Sequence, residues 1–151
     1  MNLKRISTSI VAAFALILLP GCDALLAILL FGTNTTTLEL VNNADFDVDV
    51  ILYYDDTQEV PELLLTESGT RLEFTIGAGE TQRFSRPCDE LQVIIIDDAD
   101  LLVIGGIGPE TNTDVLRDGD DFSCGSTVRF TFDHTAAILD FDVTVTNVSG
   151  S

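Results

Sequence analysis

Apolar and polar residues alternate one for one through most of this chain, and that period permits few folds. Phe46, Val48 and Val50 alternate with Asp45, Asp47 and Asp49. Leu72, Phe74 and Ile76 alternate with Arg71, Glu73 and Thr75. The same pattern runs through Val128, Phe130 and Phe132 against Thr127, Arg129 and Thr131, and through Leu139, Phe141, Val143 and Val145 against Asp140, Asp142 and Thr144. Side chains on a strand point to opposite faces in turn, so each segment has one apolar and one polar face. Antiparallel sheets with one wet face follow from this.

Two runs break the pattern. Val93–Ile96 and Leu101–Ile104 are continuously apolar, as expected of central strands covered on both faces or covered by the N-terminal segment. Asp97-Asp98-Ala99-Asp100 lies between them and reads as a hairpin turn. Further turn signals are Asn42-Asn43, Gly77-Ala78-Gly79-Glu80, Gly105-Gly106 and Asp118-Gly119. No amphipathic helix longer than two turns is evident. Residues 36–151 are therefore expected to form an all-β domain, an antiparallel β-sandwich of about eight or nine short strands.

The N-terminus is of another kind. In MNLKRISTSIVAAFALILLPGC, Lys4 and Arg5 precede an apolar run from Ile10 to Leu19. A charged region, an apolar region and a cleavage site in this order make an export signal. Its ending, Leu19-Pro20-Gly21-Cys22, resembles the lipobox of bacterial lipoproteins, with Pro20 as a departure where a small or β-branched residue is more usual. The resemblance implies cleavage after Gly21 and lipidation of the Cys22 thiol. Residues 1–21 are then the signal peptide, and 22–35 comprise the lipidated cysteine, an apolar stretch and a short tether.

Asp23 after that cysteine resembles the inner-membrane retention signal of some Gram-negative lipoproteins. Inner-membrane, outer-membrane and surface placement stay open. Residues 23–31, DALLAILLF, are expected near the membrane surface or packed on the domain. A rival reading joins both apolar blocks into one uncut transmembrane helix, against which Pro20, Gly21 and Asp23 all weigh. Gly32–Thr36 reads as a polar tether whose reach is at most about 20 Å.

Cleavage leaves 130 residues, enough for one domain with a real core. Losing Lys4 and Arg5 takes the seven basic residues to five, all arginine; against 25 acids the mature net charge is −20. Such a polyanion gains nothing from counterion release, so nucleic acid is excluded as a partner. Anionic lipid surfaces repel it, whereas cations and basic partners suit it. Adaptation to a salty exterior accounts for the charge equally well, as does protection of exposed strand edges by outward acids.

With Cys22 lipidated, Cys88 and Cys124 remain as a pair. An exported chain meets oxidising conditions, which makes a disulfide the expectation and two separate buried thiols the alternative. Zinc is poorly served by two cysteines without CxxC spacing or nearby histidines.

The inventory for catalysis is thin. His134 is the single histidine, no GxSxG is present, and neighbouring Asp133 should point to the opposite face. No lysine survives cleavage to act as a nucleophile. Gly105-Gly106-Ile107-Gly108 lacks the lysine and helix of a phosphate loop. A pair of carboxylates for glycoside hydrolysis stays among the readings, although no tryptophan and two tyrosines supply a sugar cleft poorly.

Calcium needs six to eight oxygens, which clustered loop acids provide. Three clusters qualify: Asp45, Asp47 and Asp49; Asp97, Asp98 and Asp100; and Asp118, Asp120 and Asp121. The last is the best loop, since Gly119 permits a tight wrap, and Asp118, Asp120 and Asp121 are the expected ligands; none of the clusters matches an EF-hand. The sequence therefore predicts a membrane-tethered, non-enzymatic envelope module that binds a protein or serves structurally. A calcium-binding module and a carboxylate-dependent hydrolase are the alternatives.

Overall fold

Nine strands form wherever the alternation persists, and they assemble into two facing sheets. The computed structural model describes residues 34–103, 108–134 and 140–148. The export signal, Cys22, the apolar stretch 23–31, Ile104–Ile107 and Leu139 lie outside those residues. In chain order the elements are β1 (Thr35–Asn42), β2 (Val48–Asp55), helix α1 (Glu62–Ser68), β3 (Thr70–Ile76), β4 (Thr81–Pro87), β5 (Val93–Leu101), β6 (Glu110–Thr111), β7 (Leu116–Arg117), β8 (Thr127–His134) and β9 (Phe141–Val148). Sheet A has the order β4-β1-β8-β9, and sheet B the order β3-β2-β5-β6 with β7 also on β5. The all-β sandwich expected from the period is what forms. One pairing departs from the antiparallel expectation: β1 and β8 run parallel, with Leu38 opposite Val128 and Leu40 opposite Phe130.

The core lies between the sheets and is built by the four central strands. Leu38 and Leu40 of β1 and Val128, Phe130 and Phe132 of β8 face Val48, Val50 and Leu52 of β2 and Ile94, Ile96, Ala99 and Leu101 of β5. At about 25 cal/mol per Å², burying each of the larger side chains stabilises by about 1.5–3 kcal/mol. The edge strands contribute half-buried residues. Phe74 of β3 stacks on Phe84 of β4 with centroids 5.2 Å apart, closing one side of the sandwich.

Asn42 is one of the buried polar residues. Its Nδ2 donates to the carbonyls of Phe46 and Ile76 at 2.8 and 3.0 Å, and its Oδ1 accepts from the Ala44 N–H at 2.9 Å. These bonds satisfy a buried amide and fix the end of β1 to the start of β2 and the end of β3.

Strand β5 corrects the sequence reading. Asp97–Asp100 is not a hairpin turn; β5 runs through it. The register jumps from Leu52 opposite Ile96 to Ile51 opposite Asp98, so Asp97 is the extra residue of a bulge. Before the bulge, Ile94 and Ile96 face the core while Val93 and Ile95 face outward beneath α1. After it, Ala99 and Leu101 face the core and Asp98 and Asp100 face out. The unbroken apolar run Val93–Ile96 is thus covered on both faces. Its outer cover is α1, whose Leu65 is fully buried against Val93 and Ile95.

Gly69 ends that helix. A Cβ there would lie 2.4 Å from the Leu65 carbonyl oxygen, so a side chain would push the helix off its strand. Among the described residues no helix is long and apolar enough to cross a membrane.

Cys88, after β4, and Cys124, before β8, are joined by a disulfide with Cα atoms 5.4 Å apart. The two strands flank β1, so the bond clips both neighbours of the strand through which the chain enters. The Cys88 N–H also donates to the Asn34 carbonyl at 2.9 Å, and Thr37 N–H to the Ser126 carbonyl at 3.0 Å. Closing a loop across 36 residues of separation should contribute about 3–4 kcal/mol by chain entropy. We expect Cys88→Ser/Cys124→Ser to lower the unfolding free energy by about that amount in urea titration. We also expect no thiol labelling of Cys88 or Cys124 in the unreduced, unfolded protein. Two labelled thiols would refute the bond.

Candidate functional site

Arg71, Arg83, Arg86, Arg117 and Arg129 each have a partner within the fold. Arg117 donates to the carbonyls of Gln58 and Val60 and ties β7 to the loop after β2. Arg86 lies over the Tyr54 and Phe84 rings and donates from Nε to the Tyr54 hydroxyl at 3.1 Å, linking β4 to β2. Arg71 pairs with Glu73 along β3.

Arg83 and Arg129 share one carboxylate, Glu39. The three sit at matched positions on β4, β1 and β8, on the outer face of sheet A. Arg83 Nε donates to Glu39 Oε1 at 2.6 Å, and Arg129 Nε donates to Oε2. Glu39 itself is 2% exposed. Burial is the largest single influence on its carboxyl and opposes ionisation. Hydrogen bonds and charge from Arg129 and Arg83 together outweigh it and hold the pKa below the ordinary 4.5. Both guanidiniums reach solvent, so the ladder is worth less than a fully buried pair.

The outer face of sheet B carries the opposite arrangement. A groove of about 400 Å³ opens there over β3, β2 and β5, past the end covered by α1. Asp49 lies directly opposite Asp100, and Asp100 opposite Glu110 of β6. Carboxylate oxygens of Asp98, Asp100 and Glu110 all lie within 4.8 Å of one another. Like charges facing across strands destabilise a sheet. Burial, then Glu110 and Asp49, push the Asp100 pKa up. Burial, then Asp100 and Asp97, push up that of Asp98, against a hydrogen bond from the Ala99 backbone. Such a set of oxygens suits a hard divalent cation or an ammonium group.

This triad brings together residues that the sequence left apart. Asp98 and Asp100 belong to one of the three expected clusters, but Glu110 arrives from β6. Asp97, their sequence neighbour, is the exposed bulge residue.

The loop preferred from the sequence, with Asp118, Asp120 and Asp121 as calcium ligands, is organised as a turn instead. Gly119 takes the left-handed conformation at φ 82°. Asp118 donates its N–H to the Gln92 carbonyl at 2.9 Å. Asp120 is exposed, and its N–H donates to the Arg117 carbonyl at 3.3 Å. Asp121 Oδ2 accepts the Arg117 N–H at 2.8 Å, so this carboxylate helps close its own turn. Among the described residues, the three acids whose oxygens gather closely enough to share a cation are Asp98, Asp100 and Glu110. Asp118, Asp120 and Asp121 are not among them.

Asp45 and Asp47 are exposed ahead of β2. Asp47 accepts the Ala78 N–H at 3.0 Å, while Asp49 accepts the Thr75 hydroxyl at 2.7 Å. His134 ends β8, and its ring meets Phe46 edge-on at 5.8 Å. The neighbouring Asp133 accepts from the Asn43 side chain at 3.0 Å.

No protein-family model matches the chain, and no curated protein matches it. Among solved structures, the chain is similar to the T6SS lipoprotein TssJ1 from Pseudomonas aeruginosa. The two are 12% identical, with 78% of this chain and 98% of that one covered, at a TM-score of 0.44. It is also similar to a protein from Eubacterium rectale, 20% identical over 80% of this chain and 95% of that one, at a TM-score of 0.41. Neither likeness is close enough to carry a function to this chain.

The Glu39 ladder yields a pH test. Glu39→Gln keeps a hydrogen-bond acceptor and removes the charge, at an expected cost of about 1–3 kcal/mol near neutral pH. Because the folded pKa is depressed, the ladder's contribution is complete above the ordinary 4.5 and is lost as pH falls through the lower folded value. Urea titrations of both proteins should show a constant gap at neutral pH that closes in acid. A gap that stays constant down to about pH 2 would remove the charge from the account.

Proposed function

We propose that this chain is a lipid-anchored β-sandwich of the bacterial cell envelope that acts by binding another protein and catalyses no reaction. The observation that carries the reading is the N-terminal signal ending in Gly21-Cys22. Two features of the fold support it. The Cys88–Cys124 disulfide suits an exported chain. Asn34, where the described chain begins, is held beside that disulfide, so a pull on the N-terminus meets a covalently clipped sheet.

The acids favour binding over chemistry. His134 is occupied with an aromatic ring and Asp133 with Asn43. The acid groove offers charge without a tryptophan, and its aromatic lining is Phe74.

Expression of the full chain with a C-terminal tag in a bacterium tests the anchor. We expect recovery with membranes, incorporation of labelled palmitate, and loss of both in Cys22→Ala. Recovery in the cytosol would end the envelope reading. Unchanged membrane retention of Cys22→Ala would favour the uncut helix instead.

A second reading, cation binding, is favoured by the Asp98/Asp100/Glu110 triad. A site with a Kd of about 0.1 mM would contribute about 1.8 kcal/mol at about 2 mM calcium. That is a rise of several degrees in Tm. We expect calcium to raise the melt above sodium of matched ionic strength. Asp98→Asn/Asp100→Asn should remove the difference, while Asp118→Asn/Asp120→Asn leaves it. Equal melts in calcium and sodium would mean that the acids are a solvated coat.

A further inference from the structure

Helix α1 carries a surface that its own packing does not use. Leu65 docks it on sheet B, yet Leu63 and Leu64 stand 69% and 47% exposed. The remaining large apolar side chain exposed among the described residues, Val148, lies on a different strand. Two adjacent leucines facing solvent on a two-turn helix add nothing to its docking and lower its solubility.

The charges of the segment that carries them have one sign. The segment Asp55–Ser68 holds Asp55, Asp56, Glu59, Glu62 and Glu67 and no basic residue. Two nearby guanidiniums are already engaged, Arg117 on the Gln58 and Val60 carbonyls and Arg86 on the Tyr54 hydroxyl. A groove of about 280 Å³ opens beside the helix, lined by Tyr54, Asp55, Asp56, Thr70 and Glu90. Thr70 follows the helix directly through Gly69, which packs against the Tyr54 carbonyl, so the groove opens at the C-terminal end of the helix.

We propose that α1 and this groove are the docking surface for a basic amphipathic segment of a partner protein. Apolar side chains of that segment cover Leu63 and Leu64, and its lysines or arginines lie along the acidic rim and groove. Charge decides among occupants. An anionic membrane and a second copy of this chain would both bring negative charge to a negative rim. The chain's own apolar stretch, Ala24–Phe31, has no cation to answer the rim. The inference deepens the binding role proposed above and rests on it for there being a protein partner.

The test uses the full chain purified in detergent and a fluorescent twelve-residue peptide with leucine and lysine at helical spacing. Empty micelles give the background, and peptides with serine for leucine or glutamate for lysine are the controls. We expect wild type to bind the leucine–lysine peptide at least tenfold tighter than Leu63→Ser/Leu64→Ser, and Glu62→Gln/Glu67→Gln to weaken binding and flatten its salt dependence. Both variants change exposed side chains, and unchanged melts would show that they fold.

Equal affinity of wild type and the leucine variant, or no binding above empty micelles, would overturn the surface. Concentration-dependent dimers lost in Leu63→Ser/Leu64→Ser would assign it to a second copy. Tenfold tighter peptide binding after Leu25, Leu26, Leu29 and Leu30 are changed to serine would assign it to the N-terminal segment. Either outcome would replace the basic partner. Cytosolic recovery would end the envelope reading and leave this comparison intact, while equal affinities would end the docking surface and leave the anchor intact.

Discussion

One extra residue in a central strand divides this molecule into its working regions. At Asp97 the inward parity of β5 passes from even to odd positions, from Ile94 and Ile96 to Ala99 and Leu101. The core is continuous across the change because a bulge absorbs one residue without ending the pairing to β2. The outer face is not continuous. Before Asp97 it is apolar, and α1 must cover it; after Asp97 it carries Asp98 and Asp100. Without the bulge, one half of the strand would send its apolar set to the wrong side. A covered end and an acidic end on one sheet both follow from this register.

The second constraint is charge. With 25 acids against seven basic residues in the whole chain, each cation is scarce. The fold places four of them at junctions between elements: β4 to β2, β7 to the α1 loop, and β4-β1-β8 across sheet A. Around Glu39 two arginines meet one acid, whereas on sheet B Asp98, Asp100 and Glu110 gather beside one another.

How far the sequence disclosed this depends on the range of each interaction. Period two is local, so β2, β3, β8 and β9 were legible, and so were the turns at Gly77–Glu80 and Asp118-Gly119. The disulfide followed from counting cysteines once the signal was recognised. Asp97–Asp100 misled because four residues with three acids match a turn as well as a bulge, and only the partner strand decides. Helix α1 was illegible because seven residues give too little of a 3.6 period to register. The parallel β1–β8 pair, the Glu39 ladder and the union of Glu110 with Asp98 and Asp100 all join residues distant in sequence. No local pattern encodes them. The preferred acid loop failed to gather because Gly119 made a turn so tight that Asp121 was consumed in closing it and Asp120 was left at its exposed tip.

The placement of the chain's entry gives these regions an orientation. Asn34 bonds to Cys88, Gln92 donates to the Cys88 and Asp55 carbonyls, and Asp118 donates to Gln92, so the entry, the disulfide and the loop leading to α1 form one connected end. Twelve residues separate Cys22 from Asn34, a span of at most about 40 Å when fully extended. A chain anchored at Cys22 therefore keeps this end, with the exposed leucines of α1, within tens of ångströms of the lipid headgroups. The acid groove beyond the bulge lies towards the opposite end of β5. For the lipid-anchored chain proposed above, the acidic residues beside α1 would oppose its approach to anionic headgroups.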